Sequence, residues 1–208
     1  MMSASDQRIH FSLDIPSDWE CMELSRQGRR KYAQQKATEV VEKFPSLSIY
    51  QKKLEDTLYK ELTSSWSMGV RYGASMSTPT TDGLLSASVT VSVLPEPPRR
   101  DDISTFDAIV ATIHENDDES QGDDESDISQ VVLPQAGKAI RVLGHRVFRP
   151  NGVSKAVPYS VFQTYLPYAG RVVLVMGMTF CTDVEDLLFE LFELITSTLT
   201  VWIDGGDH

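Results

Sequence analysis

The stretch LLSASVTVSVLPEPP, Leu84 to Pro98, sets Leu85, Ala87, Val89, Val91 and Val93 against Ser86, Ser88, Thr90 and Ser92 in strict alternation. Successive side chains of a strand point to opposite faces, so a period of two predicts a strand with one buried face and one small, polar face. Pro95, Pro97 and Pro98 end it, because proline cannot donate to a ladder. Upstream, Pro79 and Asp82-Gly83 punctuate a turn, and the run from Gly69 to Ser77 leads into it. Downstream, ISQVVLP, KAIRVLGHRVF, PYSVFQTYLP and GRVVLVMGMTF read as four more strands separated by Pro, Gly and Asn. The linker LPYAG, Leu166 to Gly170, is short enough to make the last two an antiparallel hairpin. Near the start, FSLDI places Phe11, Leu13 and Ile15 on one side, and Trp19, Met22 and Leu24 suggest a second short strand.

Four segments follow the helical period instead. Between Gly28 and Phe44 the apolar positions are Ala33, Ala37, Val40, Val41 and Phe44, and Pro45 closes the helix. Ser46 or Ser48 is expected to cap a second helix in which Tyr50, Leu54, Leu58, Leu62 and Trp66 recur every fourth residue. Asp101 or Asp102 is expected to cap a third, carrying Phe106, Ile109, Val110 and Ile113. In the last, Thr182 and Glu185 have capping-box spacing, with Asp183, Glu185 and Asp186 at the positive helix end. Leu187, Leu188, Leu191, Phe192, Ile195 and Leu199 give it a broad apolar stripe. Strands in consecutive runs joined by turns imply antiparallel pairing, and amphipathic helices imply layers packed on the sheet. The expected fold class is therefore α+β: an α/β/α sandwich whose mainly antiparallel β-sheet is flanked by helices.

The chain has 208 residues, enough for a core without disulfides or metal, and is expected to form a single domain over 1–208. Its longest nearly uncharged apolar run, Val172 to Cys181, is about ten residues, roughly half of what a bilayer-spanning helix needs. The first residues carry neither a basic n-region nor a continuous apolar run, so the expected compartment is the cytoplasm. Cys21 and Cys181 lack metal-ligand spacing and read as buried structural thiols. No cofactor is expected.

The formal charge is −11, and the segment HENDDESQGDDESD, His114 to Asp127, holds eight carboxylates; without them the charge is −3. An acidic chain is a poor partner for nucleic acid, whose affinity comes largely from Lys and Arg on phosphates. From Asp117 the EF-hand pattern finds Gly122 at its sixth position but fails at Glu119, Gln121 and Ile128. Residues 115–127 are thus expected to be an acidic, mobile loop within the domain, with Asp117, Asp118, Glu119, Asp123, Asp124 and Glu125 available to a basic partner.

Two further groups are candidates. Arg141, His145 and Arg149 share one parity on a strand and would form an anion or ligand patch. Tyr50, Leu54, Leu58 and Trp66 would form a partner face, since aromatic anchors on helices often dominate interfaces. The motifs of serine hydrolases, P-loops, dinucleotide-binding folds and zincins are all missing, which lowers the weight of an enzymatic reading without removing it.

The opening FSLDIPSDWE, the central SASVTVSVLPEP and the ending VVLVMGMTFCTDVEDLLFELFELITSTL resemble the PsbP-like superfamily, with its PsbP, Mog and DcrB types. The resemblance implies a bacterial α/β/α sandwich over most of the chain, less specifically between Gly28 and Met68, and supplies no transferable catalytic residues. The expected function is a non-enzymatic protein-binding adaptor or assembly factor with an unknown protein partner. The alternatives are a chaperone for secreted or membrane-inserting proteins, and a small-molecule-binding or hydrolytic domain on the Arg141/His145/Arg149 strand. Antiparallel edges make a homodimer possible.

Overall fold

The computed structural model describes residues 8–81, 83–98, 103–119, 126–148 and 156–204, with side chains left aside for 115–119. Among the described residues, seven of nine strands form one sheet: β2 (Glu20–Met22), β3 (Val70–Thr80), β4 (Gly83–Pro95), β5 (Asp127–Leu133), β6 (Gly137–Phe148), β7 (Val157–Tyr168) and β8 (Arg171–Thr179). Their order is β2-β3-β4-β8-β7-β6-β5, and every neighbouring pair is antiparallel. The alternation in β4 holds: Ala87, Val89 and Val91 are buried, and Pro95 is its last residue. At the predicted β7–β8 hairpin, Ala169 (φ 48°) and Gly170 (φ 73°) are both left-handed, the backbone that a two-residue turn between twisted strands requires.

Register divides the side chains between two faces. One row crosses Val91, Val175, Thr164 and Arg141; the next crosses Ser92, Leu174, Tyr165 and Ile140. Helix α4 (Glu185–Ser197) covers the first face, packing Leu188, Phe192 and Ile195 on Val89, Val91, Phe162, Leu166, Val173 and Val175. Helix α3 (Thr105–Glu119) covers the other, with Ile109 and Ile113 on Ile140, Val142 and Val172. Because Val172 and Val173 serve opposite layers, the strand is continuously apolar, as a sheet covered on both sides demands. The α+β sandwich with a mainly antiparallel sheet is the observed class.

Helices α1 (Arg26–Lys43) and α2 (Gln51–Ser67) form a hairpin at the β2–β3 edge, joined by a 3-10 turn over Pro45–Tyr50. Ser25 caps α1, its Oγ accepting from the Gly28 N–H. Ala33 and Ala37 are buried, whereas Phe44, expected on the same stripe, is 58% exposed. No serine caps α2; the 3-10 turn feeds straight into it. The cap of α3 is Ser104, which accepts from the Asp107 N–H and donates to the Asp107 carboxylate; Asp101 and Asp102 lie outside the described residues.

Three further features depart from expectation. Of the stretch expected to be an acidic loop over 115–127, Glu115–Glu119 continue α3 and Asp127 opens β5, while residues 120–125 lie outside the described residues. A last strand, β9 (Thr200–Ile203), pairs with β1 (Ile9–Ser12) in a two-stranded ribbon that brings the ends of the described chain together. Cys21 is exposed, its Sγ 3.0 Å from the Tyr72 hydroxyl, so only Cys181 is even partly covered.

A close approach of helix to sheet occurs at Gly177, where a built Cβ would lie 2.5 Å from the Phe192 ring. Gly177→Ala is expected to lower stability by about 1–3 kcal/mol, the range for overpacking a dense core. Equilibrium urea unfolding of the two proteins measures it, and an unchanged midpoint would show that α4 rides higher on the sheet.

Candidate interaction surfaces

The β6 strand places Arg141 and His145 on one face, as their parity requires, and α4 occupies both. Arg141 is buried: Nε donates to Thr164 Oγ1 at 2.9 Å, the guanidinium lies 4.2 Å from the Phe162 ring centroid, and Nη1 is 3.3 Å from Glu193. Burial pulls its pKa below the usual arginine range, against the opposing pull of Glu193. Glu185, the first residue of α4, takes His145 Nε2 at 2.8 Å and a short hydrogen bond from Ser160 Oγ. This is why the expected capping box does not form: the Glu185 carboxylate is drawn to β6 and β7, and no side chain caps the helix. The carboxylate stands between the hydroxyl and the imidazole. A nucleophile needs the base next to it, so the order is that of a clamp. Arg149 lies outside the described residues. An apolar cavity of about 180 Å³, lined by Leu94, Ile109, Ile113, Tyr165 and Leu174 among others, lies on the opposite face beneath α3. Among the described residues, no three His, Cys, Asp or Glu side chains converge as a metal site.

The α1–α2 hairpin carries the proposed partner face. It meets the sheet at its base, where the Arg29 and Arg71 guanidiniums lie over the Trp66 ring, 5.1 and 4.2 Å from its centroid. Arg71 Nη1 also donates to the Trp66 carbonyl at 2.8 Å. Trp66 is thus a root of the lobe, not an open anchor. Farther out, α2 has no fully buried residue: Leu54 and Leu58 are half-buried, while Tyr50 and Ile49 are 51% and 79% exposed. Leu47, Tyr50, Leu54 and Thr57 line an apolar groove of about 290 Å³.

Arg26–Ser67 holds nine of the chain's 19 lysines and arginines against five carboxylates, +4 in a protein of −11. Arg26, Arg30 and Lys31, with Gln27, Gln34 and Tyr59, line an open groove of about 590 Å³. Arg30 stacks on Tyr59 at 5.1 Å and its hydrogen bond lowers the phenol pKa. Among the described residues neither Arg26 nor Lys31 forms an ion pair. This cationic lobe was visible in the sequence as a local count of charges; a chain-wide balance hides it. Of the acidic candidates, Asp117, Asp118 and Glu119 lie on the last turn of α3, and Asp123, Asp124 and Glu125 fall outside the described residues.

The surface that sequence reasoning missed is the outside of α4. Leu188, Phe192, Ile195 and Leu199 are buried, but Leu187 and Leu194 of the same helix are 67% and 66% exposed.

No family model matches the chain, and no curated protein matches it. Among solved structures it is similar to LpqN, involved in cell envelope biogenesis of Mycobacterium tuberculosis, at 13% identity, over 94% of this chain and 85% of that one, with a TM-score of 0.45. Among the described residues no helix is long and apolar enough to cross a membrane.

The clamp has a pH signature. Desolvation raises the Glu185 pKa, but the Ser160 and His145 interactions outweigh it and the net shift is downward. A depressed folded-state pKa gives stability that is present above the unfolded value, about 4.3, and is lost as pH falls through the lower folded value. The urea midpoint of the wild type is therefore expected to fall more steeply below about pH 4.3 than that of Glu185→Gln. Parallel slopes would show that Glu185 carries no such linkage.

Proposed function

We propose that this chain is a PsbP-like, non-enzymatic protein-binding adaptor or assembly factor whose docking element is the α1–α2 hairpin. The observation that carries this reading is that α2 buries no residue completely, although Leu54, Leu58, Leu62 and Trp66 give it an apolar stripe. An isolated two-helix lobe gains little from packing, and apolar side chains left at its tip cost solubility unless something covers them. The net charge of the lobe selects the partner: cations flanking an apolar groove fit a protein surface with a carboxylate-rich rim. Apolar anchors would supply affinity, and the surrounding charges would supply orientation and association rate.

Site-specific photocrosslinking distinguishes this surface from accidental stickiness. A photoreactive residue at Ile49, at the lobe tip, is expected to capture a discrete protein in native lysate. The same residue at Val132, equally exposed on strand β5, is expected to capture none. Identical products from both positions, or none from Ile49, would contradict the reading.

A further inference from the structure

A helix of a two-layer contact buries one stripe and shows the other to water, so its apolar residues should cover little more than one face. Helix α4 does not obey this. Its inner face, Leu188, Phe192 and Ile195, is filled by the sheet, and its outer face repeats the pattern. Val184, Leu187, Leu191 and Leu194 are spaced three, four and three residues apart, the spacing of a coiled-coil seam. Leu187 and Leu194 are about two-thirds exposed, Val184 is 37% exposed and Leu191 is half-buried between them. The row runs roughly 15 Å, about three turns.

The flanks say what covers it. Asp183, Asp186, Glu190 and Glu193 are exposed beside the row, and no Lys or Arg occurs after Arg171. The basic side chains that α4 itself contacts are already engaged: Arg141 is buried against Glu193, and His145 is held by Glu185. A second copy pairing through the same face would bring these carboxylates together, and like charges across an interface are costly. An oppositely charged helix meets neither obstacle.

We propose that the outer face of α4 is a docking site for a basic amphipathic helix of a partner protein, which lays a leucine-type seam along Leu187, Leu191 and Leu194 and sets Lys or Arg against Asp186, Glu190 and Glu193. The site is separate from the α1–α2 hairpin, has the opposite charge, and does not depend on the hairpin having a partner. Together the two would make the chain a bridge between an acidic surface and a basic helix.

Two synthetic helical peptides of equal length test it, both with leucines at heptad spacing, one flanked by lysines and the other by glutamates. Fluorescence anisotropy with the full chain is expected to show binding of the lysine peptide and none of the glutamate peptide. Leu187→Ser/Leu194→Ser leaves the charge unchanged and is expected to weaken the lysine peptide at least fivefold. Asp186→Lys/Glu190→Lys is expected to reverse the preference between peptides. Circular dichroism melting checks that each variant is folded; the substituted side chains are exposed, so the fold does not rest on them. The proposal is overturned if wild type fails to bind the lysine peptide, if the serine variant loses less than fivefold, or if charge reversal leaves the preference unchanged.

Discussion

The approach of Phe192 to the bare backbone at Gly177 is the contact on which the sandwich depends. A ring can sit against a strand only where no Cβ stands, and at Gly177 that space is filled by Phe192. This sets the depth of α4 on the sheet, and depth sets what its other residues meet. Glu185 arrives opposite Ser160 and His145, Glu193 arrives over Arg141, and Leu188 and Ile195 close the core. The same rotation turns Leu187 and Leu194 outward. Arg141 and His145 of β6, which in sequence suggest a ligand patch, act with Ser160 and Thr164 of β7 as the fixings of a helix.

Charge is segregated across the molecule. The α1–α2 lobe is a cationic extension in an acidic protein, rooted by two arginines stacked on one tryptophan. Cation–aromatic contact suits such a root, because the ring attracts the guanidiniums without introducing a carboxylate that would neutralise the lobe. Elsewhere, on opposite faces of the sheet, the last turn of α3 and the exposed flank of α4 carry acids without basic residues in the same helical turns. Surfaces of opposite charge attract different partners and steer encounters before contact.

Much of the fold was legible because its strongest signals are local. Alternation in β4, the LPYAG turn and the helical spacing of α1, α3 and α4 each follow from a few neighbouring residues. What escaped depends on distant partners. Strand β9 has almost no pattern of its own and exists because β1 pairs with it. The capping box at Thr182 is correct as a motif but loses its glutamate to Ser160 and His145, at least 25 residues away in the chain. Sequence placed Arg141 and His145 on one face, but only the tertiary structure shows which helix lies above them. The outward leucines of α4 were present as a surplus: six apolar positions in the stripe, plus Phe189 and Leu194, exceed what one buried face holds. Read as a single stripe, they hide the second surface.

Cysteine accessibility tests the orientation of α4 most directly. In a Cys21→Ser/Cys181→Ser background, single cysteines at Leu187, Leu188, Leu194 and Ile195 are reacted with a maleimide under native conditions. The account predicts fast labelling at 187 and 194, and labelling at 188 and 195 only as fast as the protein opens. Equal rates at all four positions, or protection at 187 and 194 in the purified protein, would contradict it.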